Sequence, residues 1–136
     1  MSVPWCRAFL VWLLMASAEI VHGVLRTAFL TPILGDWRAR QIGAIVGAGL
    51  VVVIATATIR WLGVRSRQAL LAVGILWLSL MLAFELAAGR FLAHYSWERI
   101  ASDYDPRRGG LLGFGMLVLA LSPLIAARMR GVGRGK

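Results

Sequence analysis

The chain has 136 residues, of which 60% are apolar, and a formal net charge of +9. A small soluble domain leaves much of its surface in water, so it cannot hide an apolar share this far above the usual one. The composition excludes an ordinary soluble protein and favours one whose solvent is lipid.

Four apolar runs are long enough to cross a bilayer as helices, which takes about 20 residues each. They cover residues 8–27, 42–59, 70–88 and 111–127. Thr31-Pro32 and Gly35-Asp36 are expected to break the chain after the first run, and Asp105-Pro106 before the fourth. Lipid leaves a free backbone amide unsatisfied, so each run must be helical. We predict an all-α integral membrane four-helix bundle formed by a single domain, residues 1–136.

The basic residues predict the direction of insertion. The two ends of the chain and the loop between the second and third runs carry eight basic residues and no acid. The other two loops carry six basic residues beside four acids. Cytoplasmic loops hold the excess of Lys and Arg, so both termini are expected in the cytoplasm. The bilayer, with its anionic headgroups, is the expected partner, and nucleic acid is not, because the basic residues do not form one face.

Two further features bear on localisation. The chain is rich in Ala, Gly and Arg, a composition typical of GC-rich bacteria, so the bacterial inner membrane is the predicted location. Ala16-Ser17-Ala18 resembles the cleavage site of a secretory signal peptide. The apolar stretch continues past Glu19 to Leu34, which favours a retained span over a cleaved signal.

An internal repeat is predicted. A shift of sixty-six residues aligns the first half with the second without a gap. The aligned pairs include Glu19 with Glu85, Gly23 with Gly89, and Gly43, Gly47 and Gly49 with Gly109, Gly113 and Gly115. We therefore expect two tandem helical hairpins inserted in the same direction and related by an axis along the membrane normal. Chance matching in so apolar a chain is the alternative.

Glycines four residues apart open the second helix of each predicted hairpin. Gly43 with Gly47, and Gly109 with Gly113, form G-x-x-x-G steps, which let another helix approach closely. They predict helix-packing faces, with the neighbour in this chain, in another membrane subunit or in a second copy. A ligand groove is the alternative.

Ionisable residues inside the apolar runs form the candidate site. Glu19, His22 and Arg26 are spaced by three and four residues and so share one face of the first helix. Glu85 and Arg90 lie in and just beyond the third run. Charges in lipid are costly, so they pair or serve a function. Either the five residues neutralise one another and join two helices, or they line an outward-opening pocket for an anionic headgroup, a small solute or a proton.

Metal and enzyme chemistry have little support. Glu19-Ile20-Val21-His22 is an E-x-x-H step, half of a di-iron motif, but Ala88 replaces the histidine in the second half. We expect no metal and no cofactor. Neither a nucleophile motif nor a phosphate-binding glycine loop is present in the sequence. A membrane enzyme acting through His22 or His94 is the weaker alternative.

The loop from His94 to Gly110 is polar. Its Trp97, Ile100 and Tyr104 recur at spacings of three and four. This pattern predicts a short amphipathic helix on the membrane surface. Its charged residues are expected to face water: Glu98, Arg99, Asp103 and Asp105.

One local resemblance bears on function. Ala18-Glu19-Ile20 is similar to the pattern around the essential glutamate in the first helix of small multidrug-resistance transporters, which also have four helices. His22, Arg26 and the loop 96–110 depart from that family, and no family is recognised over the full chain. The leading expectation is a non-enzymatic multi-pass protein, an accessory or assembly subunit with a buried Glu/His/Arg cluster. The alternative is a small transporter or lipid-binding protein that uses Glu19 and Glu85 for a proton or a cationic ligand.

Overall fold

The computed structural model describes residues 3–64, 66–92, 94–108 and 110–131. Gly109 of the second G-x-x-x-G step lies outside these ranges. So do three of the eight basic residues counted above, namely Arg65, Arg134 and Lys136. Within the described ranges the regular structure is helical, with no strand. The all-α prediction is confirmed to that extent.

The helices follow the chain in a simple order. α1 (Trp5–Leu25) runs through a π-helical turn (Arg26–Leu30) into the short α2 (Thr31–Leu34). α3 (Asp36–Leu62) follows, and then α4 (Arg67–Ala87), which ends in a second π-helical turn (Ala88–Leu92). The loop between the third and fourth spans, called the outer loop after its predicted side of the membrane, contains α5 (Trp97–Asp103) and a 3-10 turn (Pro106–Arg108). The last described helix is α6 (Leu112–Met129).

Among the described residues, four helical segments are long and apolar enough to cross a membrane. They are Trp5–Leu34, Asp36–Leu62, Arg67–Leu92 and Leu112–Met129. Each contains most or all of a predicted run, so the four-span prediction is confirmed. Large apolar side chains on their outer faces are exposed, as lipid-facing positions require, among them Val24, Ile45, Val53, Ile75 and Leu117.

The end of the first span differs from the prediction. Thr31-Pro32 does not break the first span, because Pro32 lies in the first turn of α2. Proline is tolerated there, since that turn needs no amide donor from it. The chain turns instead at Gly35, whose φ of 86° suits a residue without a Cβ. α4 starts after Ser66, whose hydroxyl accepts a hydrogen bond from the Ala69 amide at 3.1 Å.

The four spans pack in the order α1, α3, α6, α4 around the bundle. α3 and α6 each contact two neighbours, and so do α1 and α4. The core between them is apolar and contains Met15, Ile59, Trp77 and Leu119. The indole Nε1 of Trp77 donates to the Ala8 carbonyl at 2.8 Å, which joins α4 to α1.

Pro123 lies inside α6, and the carbonyl that it leaves without an amide donor has another hydrogen-bond partner. Pro123 has no amide hydrogen to donate to Leu119 four residues earlier. The buried Ser122 hydroxyl takes that place, because it donates to the Leu119 carbonyl at 2.6 Å. The backbone is thereby satisfied within the apolar part of the bundle.

Gly74 of α4 lies directly against the backbone of α6. A Cβ added there would lie 2.0 Å from the Ala120 carbonyl oxygen of α6. The contact is with backbone, so a side chain at this position forces the two helices apart. This packing glycine lies outside the predicted G-x-x-x-G steps.

We expect Gly74→Ala to lower the free energy of unfolding by about 1–3 kcal/mol, the usual cost of overpacking. The matched control is Gly49→Ala in α3, where an added Cβ meets nothing within 4 Å. The control should be neutral or slightly stabilising, because alanine favours a helix more than glycine does. Thermal unfolding of both variants in detergent checks this, and equal stability of the two would contradict it.

The internal repeat stays a prediction. Both hairpins contain a π-helical turn at the end of their first helix, at Arg26–Leu30 and Ala88–Leu92. Their second helices differ, since α3 begins at Asp36 whereas α6 begins only at Leu112. The first ten residues of α3 therefore align in sequence with the end of α5 and the loop after it.

Candidate functional site

A cavity of about 730 Å³ lies between the four spans and the outer loop. Four of the five predicted site residues line it, namely Glu19, His22, Arg26 and Glu85. Its volume lies within the ~300–1,000 Å³ typical of small-molecule sites. The polar residues from α1 and α4 thus share one space inside the bundle.

The first span presents Glu19, His22 and Arg26 to α3. Nδ1 of His22 lies 3.9 Å from Oε2 of Glu19, three residues earlier on the same face. The Glu19 carboxylate lies against Gly47, where an added Cβ would be 3.0 Å from each of its oxygens. Its Oε1 is buried without a hydrogen-bond partner.

Gly43 makes room for Arg26. An added Cβ at Gly43 would lie 2.8 Å from Cδ of Arg26 and 3.5 Å from Cε1 of His22. Both predicted packing glycines of α3 therefore contact polar side chains of the first span. Their role in packing against another helix stays a prediction. Gly113 of α6 lies near Tyr104 of the outer loop, 3.5 Å from its carbonyl oxygen by the same measure.

Glu85 lines the cavity from α4, which packs beside α1. It also lines a smaller space of about 170 Å³ with Asp103 and Tyr104. The Tyr104 hydroxyl is buried without a hydrogen-bond partner. Burial raises the pKa of Tyr104 well above its ordinary value, and the charges of Glu85 and Asp103 add to this. The phenol therefore stays protonated and keeps a donor beside Glu85.

Arg90 does not join the cluster. Its Nη1 donates to the Tyr95 carbonyl at 3.2 Å, and its guanidinium lies 5.4 Å from the centre of the Trp97 ring. Both contacts hold the side chain against the outer loop, away from the cavity lining. The sequence predicts that two arginines neutralise two glutamates. Because Arg90 contacts the loop instead, only Arg26 remains near the glutamates.

The remaining charges in the cluster do not balance. Arg26 interacts electrostatically with both Glu19 and Glu85, and Glu19 also with Glu85. Among the described residues no ion pair within 4.0 Å joins Arg26 to either acid. Two carboxyl groups thus share one arginine at a distance, and one negative charge is left for His22, a proton or a ligand.

Ion pairs lie at the end of the cavity that is next to the outer loop. Arg40 of α3 pairs with Asp103 of α5, and its Nε lies 3.1 Å from Oδ2 of Asp36. Arg99 of α5 lies 3.0 Å from the same Asp36 carboxylate. These pairs attach α5 to the start of α3. Arg40 and Asp103 also line the cavity, which sequence analysis did not predict.

Asp103 does not face water as predicted. Its side chain is only 19% exposed, because α5 lays it against Arg40. Ile100 on the predicted apolar face is buried, whereas Trp97 is 57% exposed. The i,i+4 pair of Asp36 and Arg40 was readable in the sequence as a helical salt bridge, but its extension to α5 depends on the tertiary fold.

We expect Asp103 to make stability depend on pH. Burial raises its pKa above the ordinary 3.8, against the opposing effect of Arg40 and Arg99. The folded protein holds this proton more tightly than the unfolded chain. The resulting stabilisation is complete below the unfolded pKa and is lost as the pH rises through the folded one.

The free energy of unfolding of the wild type, relative to Asp103→Asn, should therefore fall as the pH rises from below 3.8. Unfolding of both proteins in detergent across a pH series measures this difference. Subtracting the variant removes the contributions of the other carboxyl groups. A difference that does not change with pH would show that Asp103 titrates as it does in the unfolded chain.

The inner part of the cavity is apolar. Val51, Met81, Phe84, Met116 and Leu119 line it. The charged groups and the apolar lining together suit an amphipathic ligand. In the part of the chain that the structure describes, no group of three or more His, Cys, Asp or Glu side chains could hold a metal ion.

Comparisons of this chain with protein-family models, with curated proteins and with solved structures give no match.

Proposed function

We propose that this multi-pass membrane protein binds, and moves or presents, a ligand with a cationic group and an apolar part, held by Glu19 and Glu85. The observation that supports this is the shared cavity of about 730 Å³, which both glutamates line. A proton can replace the cation at either carboxylate, which would couple ligand binding to proton movement.

The charge imbalance favours this function over internal neutralisation. Arg90 is held by the loop, so two acids face one arginine. A cationic ligand would supply the missing positive charge. Its hydrocarbon would lie against the apolar inner lining, and in this state neither carboxylate would be a buried charge without a partner.

The remaining parts of the proposal concern location and architecture. The protein would lie in the inner membrane of a bacterium with both termini in the cytoplasm, so that the cavity opens outward. The two hairpins would be copies of one unit, which would explain why each supplies a glutamate. Anionic headgroups would contact the arginines at the span ends.

An accessory or assembly subunit is the second candidate. Gly23 of α1 and Gly49 of α3 have nothing within 4 Å of an added Cβ, so a partner helix could approach either of them. In that case the two glutamates would serve stability or insertion and not binding.

Native mass spectrometry of the protein taken gently from its own membrane distinguishes these functions. The expected result is a bound small molecule or lipid on the wild type that is missing from Glu19→Gln and Glu85→Gln. The control is Glu98→Gln, which changes an exposed acid on α5. A bare chain, or one that carries only another protein in all variants, would support the subunit role and refute ligand binding.

A further inference from the structure

Two buried atoms of opposite character lack partners in the same cavity. Oε1 of Glu19 is an acceptor without a donor, and Nε of Arg26 is a donor without an acceptor. Buried polar groups without partners are costly, and native proteins keep few of them. Each atom is explained if a bound molecule brings the complementary group.

The spacing of these two groups can be estimated from α3. Glu19 lies against Gly47 and Arg26 against Gly43, one helical turn away. Four residues at 1.5 Å of rise put these two contacts roughly 6 Å apart along α3. One molecule with a positive group and a negative group a few bonds apart can therefore reach both.

Arg26 is held toward the cavity by local structure. It is the first residue of the π-helical turn Arg26–Leu30, and its side chain crosses α3 at the buried Gly43. π-helical turns in α-helices occur often at functional sites. Among the described residues, the guanidinium forms no ion pair within 4.0 Å with Glu19 or Glu85. An anion is the ligand group that suits it.

We infer that the ligand is a zwitterionic amphiphile, with its ammonium group at Glu19, its phosphate at Arg26 and its hydrocarbon in the apolar inner cavity. This rests on the proposed function and adds to it the negative group and the residue that binds it. Because a zwitterion brings no net charge, the surplus negative charge of the two glutamates is neutralised by a proton on one of them. The chemistry is that of a phosphoethanolamine headgroup. It is available from a lipid of the surrounding membrane or from a soluble molecule.

The test uses the full chain in a non-ionic maltoside detergent and three single-chain probes of equal chain length. They are a lysophosphatidylethanolamine, an alkylammonium and an alkyl phosphate. We expect the zwitterionic probe to bind about tenfold or more tightly than either singly charged probe, since it satisfies both groups. Arg26→Gln should remove this advantage without weakening alkylammonium binding, because the substitution takes a positive charge away from the site. The matched control, Arg38→Gln, changes an exposed arginine of α3 and should alter neither affinity.

Gly43→Ala provides a second variant if Arg26→Gln does not fold. Its added Cβ would displace the flexible Arg26 side chain, 2.8 Å away at Cδ, and should reduce the preference for the zwitterion. Equal affinity of the alkylammonium and the zwitterion, unchanged by either variant, would overturn this inference and leave the proposed function intact. Failure of all three probes to bind would overturn the proposed function itself. Soluble phosphoethanolamine that competes as well as the lipid would confirm the headgroup chemistry and assign it to a soluble ligand.

Discussion

Glu19→Gln is expected to weaken binding of an alkylammonium probe by about 100-fold, the loss of one charge-assisted contact in a site shielded from water. Glutamine keeps the size of the side chain and its fit against Gly47, so the fold should persist. Glu85→Gln should cause a similar loss, because both acids line the same cavity. Equilibrium binding in detergent, with thermal unfolding measured on the same samples, tests both variants.

The pH dependence of ligand affinity provides a second test with the same variants. A cation and a proton compete for one carboxylate, so wild-type affinity should fall as the medium is acidified. The variant with both substitutions, Glu19→Gln and Glu85→Gln, should lose this dependence together with its affinity. Glu98→Gln, on the exposed side of α5, should behave as the wild type does. Unchanged affinity in the double variant would place the ligand elsewhere or show that the acids serve only stability.

Gly47→Leu is expected to abolish binding of every probe without unfolding the bundle. Its Cβ would lie 3.0 Å from both oxygens of Glu19, and the rest of the side chain would extend into the cavity. The carboxylate is the flexible end of its side chain, so it can move aside, but the ligand then loses both its space and its counter-ion. We expect a loss of more than about 100-fold in affinity.

The control for this substitution is Gly49→Leu, two residues further along the same helix. An added Cβ there meets nothing within 4 Å, so the leucine projects outward from the bundle. Both variants add the same apolar volume to α3, and they differ only in whether it enters the cavity. If the two bind probes equally well, the space beside Gly47 is not the binding site.

The spans could be predicted because lipid imposes a simple rule on sequence. About 20 apolar residues must form a helix, and this places all four spans within a few residues at most ends. The exceptions are the ends of the first and third spans, where helix continues through π-helical turns to Leu34 and Leu92, and the start of the second span, which lies at Asp36 and not at residue 42. Hydrogen bonding at those ends depends on the neighbouring loop. A prediction from the apolar composition of the span does not take that loop into account.

The site was predicted in part. The spacing of Glu19, His22 and Arg26 placed them on one face, and the structure puts all three at one cavity with Glu85. The position of Arg90 depends on the Tyr95 carbonyl and the Trp97 ring, both contributed by the way the loop folds back. Gly74 carries no spacing signal, since its partner is a carbonyl of α6 and not a second glycine. Such contacts follow from the packing of whole helices and not from a local pattern.

The different glycine contacts of the two helix pairs have a mechanical consequence. α4 lies directly on the backbone of α6 at Gly74, and such a contact allows almost no displacement before atoms collide. α1 is separated from α3 at Gly43 and Gly47 by side chains that can rotate. The α4–α6 pair is therefore held rigidly, whereas α1 and α3 can shift relative to each other. Any widening of the cavity to admit a ligand would be accommodated by α1 moving on α3, while α4 and α6 stay in place as a fixed frame.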